Sequence, residues 1–219
     1  MKLSIAIDGP AGAGKSTIAQ MLAKKYDLMY INTGSMYRAV ALFAERKGIT
    51  YTQKDLLCSM IGNLQMVFKG DKLFVNGEDI TEEIRLPNIS SIVSYYAAIA
   101  EVRAMLVELQ QDMSRKFGVV MDGRDIGTVV LKNADFKFFL TASPEQRAKR
   151  RFIELKEKGV PVDYDSILSD MNKRDYIDSH RKVTPLLKAD DALIIDTSDL
   201  DIPQVVDRIT QIISGKNNI

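Results

Sequence analysis

The segment Gly9-Pro10-Ala11-Gly12-Ala13-Gly14-Lys15-Ser16 reads G-x-x-x-x-G-K-[ST], the spacing of a loop that cradles phosphates. Glycines at 9, 12 and 14 let backbone N–H groups converge on phosphate oxygens, and a helix opening near Ser16 adds its positive end. Lys15 has the reach for the β- and γ-phosphates of a nucleotide, and the Ser16 hydroxyl is a ligand type that suits Mg²⁺. A second run, Phe117-Gly-Val-Val-Met-Asp122, is apolar and ends in a carboxylate. That form places Asp122 near the metal or its waters; a strand-end Asp that caps or makes a salt bridge is the alternative.

Arginines supply the rest of the chemistry. Arg38, Arg85, Arg103, Arg124, Arg147, Arg150, Arg151, Arg174 and Arg181 all fall outside the apolar runs that read as strands. Transfer of a phosphoryl group between two anionic nucleotides calls for forked donors that hold one phosphate and neutralise another. Arg38 follows the turn Asn32-Thr33-Gly34-Ser35, and Arg124 follows Asp122-Gly123, both at the carboxyl side of a strand. Arg147, Arg150 and Arg151 share one side of a helix and its shoulder. Glu145, Glu154 and Glu157 flank that cluster, with Phe152 as its one aromatic neighbour, which disfavours an RNA-binding patch. Asn172-Lys173-Arg174-Asp175 matches a guanine-reading string but sits in a helical pattern with Ile167, Leu168 and Met171, so it is read as chance.

Positioning these groups requires a sheet with helices around it. Lys2–Asp8, Leu28–Thr33, Phe117–Asp122, Phe136–Thr141 and Ala192–Asp196 read as buried strands, alternating with helical patterns. This order signals an α/β domain with a mostly parallel sheet. Ser143-Pro144-Glu145-Gln146 predicts a capped helix start, and Pro203 precedes an apolar helix containing Val205, Val206, Ile209, Ile212 and Ile213. Leu64–Phe68 and Lys72–Asn76 predict an antiparallel hairpin, with Asn76-Gly77 as a further tight turn. One helix is predicted from about Asn88 to Arg115. On it Ser94 and Arg103, nine residues apart, point half a turn out of phase unless the chain breaks around Ala97–Glu101. Ser214–Ile219 reads as a frayed tail.

Composition removes several function classes. The 219 residues suffice for a disulfide-free core, and 46% hydrophobic with 27% charged residues argues against global disorder. Cys58 and His180 are the only residues of their kinds, which disfavours zinc clusters and Ser-His-Asp or Cys-His catalysis. A formal net charge of +1 disfavours a nucleic-acid coat. The N-terminal apolar stretch is too short for a signal peptide, and no apolar run reaches 18 residues, so a cytoplasmic protein without a membrane partner is expected.

Four stretches together narrow the reading: Asp8 through Ser16, Thr33-Gly-Ser-Met-Tyr-Arg38, Asp122-Gly-Arg-Asp-Ile-Gly-Thr-Val-Val130, and Arg174-Asp175 through Asp178, Arg181 and Pro185. In these the chain resembles the bacterial cytidylate kinase family from Ile5 to about Ile213. The resemblance implies a three-layer P-loop kinase fold with a five-stranded parallel central sheet. It further implies a core of residues 1–59, 89–147 and 161–219, an antiparallel acceptor-nucleotide insert at 60–88, and a short helical lid at 148–160. ATP would be the donor, CMP or dCMP the acceptor, and Mg²⁺ the metal, held by Ser16 and Asp122. Gly9, Gly12, Ala13, Gly14, Lys15, Ser16 and Thr17 would bind ATP. Arg38 and Arg124 would hold the acceptor phosphate, with Arg147 and Arg151 facing the group in transit and Lys15 completing the catalytic set. Ser94, Arg103 and Asp125 would read cytosine with Thr33 nearby; Asp178 and Arg181 would bind near the ribose, ordered by Arg174. A monomer without nucleic-acid partners is expected. The alternatives are a kinase for UMP, AMP, GMP or a small metabolite, and an ATP-dependent switch protein.

Replacing Lys15 by Met should abolish turnover and leave the fold intact. The lysine acts where charge moves during transfer, so kcat should fall far more than acceptor affinity. Steady-state kinetics on the folded variant check this, and near-normal kcat would remove the phosphate-loop mechanism.

Overall fold

A computed structural model describes residues 2–216. In chain order the elements are β1 (Ser4–Asp8), α1 (Lys15–Tyr26), β2 (Met29–Asn32), α2 (Thr33–Arg46), α3 (Lys54–Gly62), β3 (Met66–Lys69), β4 (Lys72–Val75) and β5 (Glu78–Asp79). Then follow α4 (Pro87–Ala97), α5 (Ala100–Lys116), β6 (Val119–Gly123), β7 (Phe136–Thr141), α6 (Pro144–Glu157), α7 (Tyr164–His180), β8 (Leu193–Asp196) and α8 (Ile202–Lys216).

The central sheet has the order β2-β6-β1-β7-β8, and every pairing in it is parallel. Because side chains alternate across a strand, the apolar runs supply two cores at once. Ala6, Ile31, Val119 and Met121 face the helices α2, α4 and α5, joining Met36, Val40, Val102 and Leu106. Ile5, Ile7, Val120, Phe138 and Leu140 face α1 and α8, joining Ile18, Leu22, Val205 and Ile209. The result is the expected three-layer α/β architecture around a five-stranded parallel sheet. The register pairs Asp8 with Gly123 and Asn32 with Asp122, so the loops that leave these strands start at one edge.

The run Phe136–Thr141 forms a strand over its whole length, while the other four strands start one or two residues later than their apolar runs. One run departs in character: Ala192–Asp196 was expected to be buried, yet β8 is an edge strand on which Leu193 and Ile194 are exposed and Ile195 is buried. The hairpin forms as β3 and β4, and the Asn76-Gly77 turn has positive φ at both residues, 52° and 86°, as a two-residue turn of this kind requires. That turn leads into β5, so the small antiparallel sheet has three strands. Ser143 caps α6 by accepting from the Gln146 N–H at 3.3 Å, and Asn172–Asp175 lies inside α7. Residues 214–216 continue α8 instead of fraying, and 217–219 of the expected tail lie outside the described residues.

The helix expected over about 88–115 is two helices. It breaks at Ala98–Ile99, where Ile99 turns extended at φ −78°, ψ 123°. Neither proline nor glycine causes this. The side chain of Arg103 in the next helix donates to the Ala97 carbonyl at 3.0 Å, satisfying an acceptor that the break leaves open.

Gly9, just past the end of β1, carries the tightest steric requirement among the glycines. Its φ is +145°, and a Cβ there would lie 2.0 Å from the Leu140 carbonyl oxygen, a backbone atom of β7. Gly70 also has positive φ, +63°, but faces open space. Gly9→Ala should therefore lower stability by about 1–3 kcal/mol or more, and Gly70→Ala by only about 1–2 kcal/mol. Urea unfolding of both variants checks the order; equal losses would mean that β7 does not constrain the loop.

Candidate functional site

The phosphate loop leaves β1 at Gly9 and enters α1 through Gly14, whose φ of 83° no larger side chain adopts easily. Gly12 is the point of closest approach from above. A Cβ there would meet Met171 Cε at 2.5 Å and Arg147 Cβ at 3.1 Å, so α6 and α7 both lie over the loop. Lys15 is buried, and its Nζ donates to the Pro10 carbonyl at 2.6 Å. Burial, and after it the nearby Arg124, push the ammonium well below its usual range, against the attraction of Asp122.

Beside the loop, Ser16 Oγ donates to Asp122 Oδ2 at 2.9 Å, and Tyr30 Oη donates to Asp122 Oδ1 at 2.8 Å. Asn32 Nδ2 donates to Ser16 Oγ at 3.2 Å and to Tyr30 Oη at 2.9 Å. Asp122 is thus one carboxylate adjoining the loop serine. Mg²⁺ prefers oxygen ligands, often keeps several waters, and is commonly held by one or two carboxylates with substrate phosphates. The donor set of Ser16 and Asp122 fits that chemistry.

The arginines converge from four elements. Arg38 on α2 has a buried Nε without a partner, and burial followed by Arg174, Arg124 and Arg151 holds the guanidinium down to about 9. Arg174 on α7 is held down to about 10 by burial and then by Arg124, against Asp178 and Asp175. Asp178 is the shared counter-ion: it accepts from Arg124 Nε at 2.8 Å, from Ser94 Oγ at 3.0 Å, and lies 3.9 Å from Arg174 Nε. Burial works to raise the Asp178 carboxyl, but Arg124, Arg174 and Arg181 outweigh it and keep it below the ordinary range.

Next to this cluster, Arg103 and Asp125 form a buried ion pair, and Arg181 Nη2 stands 3.7 Å from the other Asp125 oxygen. The Tyr37 ring lies under the Arg103 guanidinium, 5.1 Å from its centroid. The break between α4 and α5 is what admits this arrangement: it frees Arg103 from the phase of Ser94, so both reach one region through Asp178, Arg181 and Asp125. Thr33 is buried and donates to the Asp122 carbonyl at 2.8 Å. Arg147 is fastened on three sides, donating to the Ala142 carbonyl at 3.0 Å and the Ala11 carbonyl at 2.9 Å and pairing with Asp175 at 2.6 Å. It ties α6 and α7 to the phosphate loop. Arg151 pairs with Glu154 at 2.8 Å, and Arg150 reaches Thr197 Oγ1 at 3.1 Å. His180 is exposed and stacks on Tyr176.

Asp8, Tyr30, Asn32, Tyr37 and Asp175 belong to this constellation too, although the motifs that contain most of them assign them no role. Asp8 accepts from the Ile126 and Gly127 N–H groups at 2.8 and 2.7 Å, fixing the turn that presents Asp125. Burial pushes its carboxyl up to about 6 despite those two bonds. Its signal in the sequence was a charge closing an otherwise apolar strand. For Tyr30 and Asn32 it was two polar groups at i and i+2 on a buried run.

The family model for cytidylate kinase matches residues 5–215. A cytidylate kinase of Clostridium tetani is 59% identical over 215 residues, spanning 98% of this chain and 95% of the relative. A cytidylate kinase of Clostridium acetobutylicum is 60% identical over 216 residues, spanning 99% and 100%. Among solved structures, shikimate kinase from Bacteroides thetaiotaomicron superposes with a TM-score of 0.52 at 14% identity, covering 98% of this chain and 99% of that one, which speaks to the fold alone.

A depressed carboxyl pKa in the folded state contributes stability that is present above the unfolded value and lost as pH falls through the folded one. Asp178→Asn should therefore cost about 1–3 kcal/mol at pH 7. The gap to the parent should narrow below about pH 4, where the unfolded carboxyl and then the folded one protonate. Denaturant midpoints at pH 7 and pH 3 check it; a gap independent of pH would show that no arginine holds Asp178 ionised.

Proposed function

The chain belongs to the cytidylate kinase family, transferring a phosphoryl group to CMP or dCMP to give CDP or dCDP, and we propose how its own residues divide that work. ATP sits on Gly9–Thr17, with the Gly12, Ala13 and Gly14 backbone around its phosphates and Lys15 toward the β- and γ-phosphates. Ser16 and Asp122 hold Mg²⁺, which when bound offsets charge on the donor phosphates. Arg38 and Arg124 hold the acceptor phosphate. Asp125 and Arg103 read the base with Ser94, while Arg181, Asp178 and Arg174 border the ribose. Arg147 sets the loop in place from above, and Arg151 adds positive charge where the transferring group passes.

The observation that carries this reading is the convergence of Lys15, Arg38, Arg124 and Arg174: burial and then a neighbouring cation lower the proton affinity of Lys15, Arg38 and Arg174, against the attraction of Asp122 on the first two and Asp178 on the third. Such a space is complementary to polyphosphate. The attacking oxygen belongs to an anion already, so positioning and charge stabilisation dominate over proton abstraction. Residues 60–88 form the acceptor lobe and 148–160 the lid, whose closure excludes water from the γ-phosphoryl. The same reading has a cytoplasmic monomer acting on small molecules, with neither nucleic acid nor membrane as partner, in keeping with a net charge of +1.

Base selectivity gives the sharpest test. Cytosine offers an exocyclic amino donor where uracil has a carbonyl, and a carboxylate accepts from the first and repels the second. Asp125→Ala should cost CMP roughly 1–3 kcal/mol of transition-state binding, about 5- to 150-fold in kcat/KM, and UMP much less. The CMP-to-UMP ratio then falls toward one. Equal losses for both would make Asp125 an organiser of Arg103 and Arg181 only, and a parent enzyme that prefers AMP or GMP would overturn the base assignment.

A further inference from the structure

The polar ring beside the phosphate loop can be accounted for hydrogen by hydrogen. Asn32 Oδ1 accepts from the Ser35 N–H at 2.9 Å, which fixes which end of the amide is which. Its Nδ2 must then face Ser16 Oγ and Tyr30 Oη, at 3.2 and 2.9 Å, and each of these oxygens accepts from it. Ser16 and Tyr30 are left with one hydrogen each, and both donate to Asp122, one per carboxylate oxygen. A hydroxyl has one hydrogen and two lone pairs. On Ser16 the hydrogen and one lone pair are engaged, so a single lone pair remains, with a direction set by Asn32 and Asp122.

We propose that Tyr30 and Asn32 are positioning residues for the Mg²⁺ of phosphoryl transfer, holding the Ser16 hydroxyl and the Asp122 carboxylate in the orientation the cation requires; this deepens the functional reading above and rests on it. Neither residue touches the cation. Tyr30 pins Asp122 Oδ1, which stops the carboxylate rotating away from Ser16. Asn32 takes the lone pair that Ser16 would otherwise offer to a competing donor. The strand register makes the arrangement possible: Asn32 pairs with Asp122 across β2 and β6, and Tyr30 lies two residues back on the same side of β2. The Tyr30 side chain packs in the apolar cluster beneath the sheet, while its hydroxyl bonds only within the polar ring, to Asp122 and Asn32. Outer partners of this kind commonly carry 10- to 100-fold of metal affinity, roughly.

The test uses the full chain with Mn²⁺ as a paramagnetic probe, titrated in the presence of ADP and without acceptor, with free Mn²⁺ read by electron paramagnetic resonance. Tyr30→Phe and Asn32→Ser are the variants; serine retains an oxygen able to cap α2. Each should weaken Mn²⁺ in the ADP complex about tenfold. ADP affinity measured in EDTA should stay within about twofold of the parent, a split that general loosening of the fold would not produce. The double variant should lose less than the product of the two, because both act through one ring. Should one variant fail to fold, the other decides. Parental Mn²⁺ affinity in a folded variant overturns the proposal, as does equal loss of ADP affinity without metal. The outcome separates from the functional reading: a parent that phosphorylates no pyrimidine monophosphate sinks that reading, while the Mn²⁺ titration needs no acceptor.

Discussion

Repulsion among closely gathered, largely desolvated cations at the C-terminal edge of the sheet is the constraint around which this molecule is built. Lys15, Arg38, Arg124 and Arg174 come from four different elements, and each of the three whose proton affinity is depressed loses it first to burial and next to another cation. Left to themselves such groups would separate into water. Arg124 and Arg174 are held by one carboxylate they share, and the adjoining Arg103 and Arg181 by another. Asp178 serves Arg124, Arg174 and Ser94, and Asp125 serves Arg103 and Arg181. This arrangement leaves positive potential in place before any anion arrives, which is how a preorganised site lowers a barrier without rearranging at the moment of reaction.

Holding that charge requires rigid attachment. The parallel register aligns the ends of β1, β2 and β6, so the phosphate loop, the start of α2 and the turn bearing Arg124 and Asp125 leave from one line. Asp8 locks two of these together by accepting from the Ile126 and Gly127 N–H groups. Ionised, it satisfies both donors, yet burial raises its carboxyl to about 6. Its raised pKa means that its contribution is fully present below the unfolded value near 4 and is lost as pH rises through 6. At neutral pH the turn is therefore kept at a cost in stability. Arg147 does the matching task from the other side, joining α6 to the carbonyl of Ala11 and to Asp175.

Site and fold share the same atoms in the interruption between α4 and α5. Arg103 closes the open end of α4 through the Ala97 carbonyl and with the same guanidinium meets Asp125. Its position over Tyr37 adds a face contact in a desolvated setting. A helix terminus that would otherwise leave a carbonyl unsatisfied thus becomes a support for a buried ion pair.

Much of this was legible in the residues alone. Apolar runs ending in Asp8, Thr33 and Asp122 announced a parallel sheet with its chemistry at one edge, because strands buried on both faces leave polar groups only at their ends. The loop Gly9–Ser16 and the arginines after Thr33 and Asp122 were readable from type and spacing, since local geometry places them. Tertiary contact decided what local pattern does not encode. The split at Ala98–Ile99 carries no proline or glycine and depends on a side chain supplied by the following helix. Arg147, expected with Arg151 to face the group in transit, is instead fastened by carbonyls at Ala142 and Ala11 and by Asp175 on α7. Tyr30 and Asn32 gain meaning only when β2 lies beside β6 and Asp122 comes within hydrogen-bond reach. Periodicity reports which face of an element is buried, whereas the partner of a buried charge or hydroxyl is fixed by which distant segment packs against it.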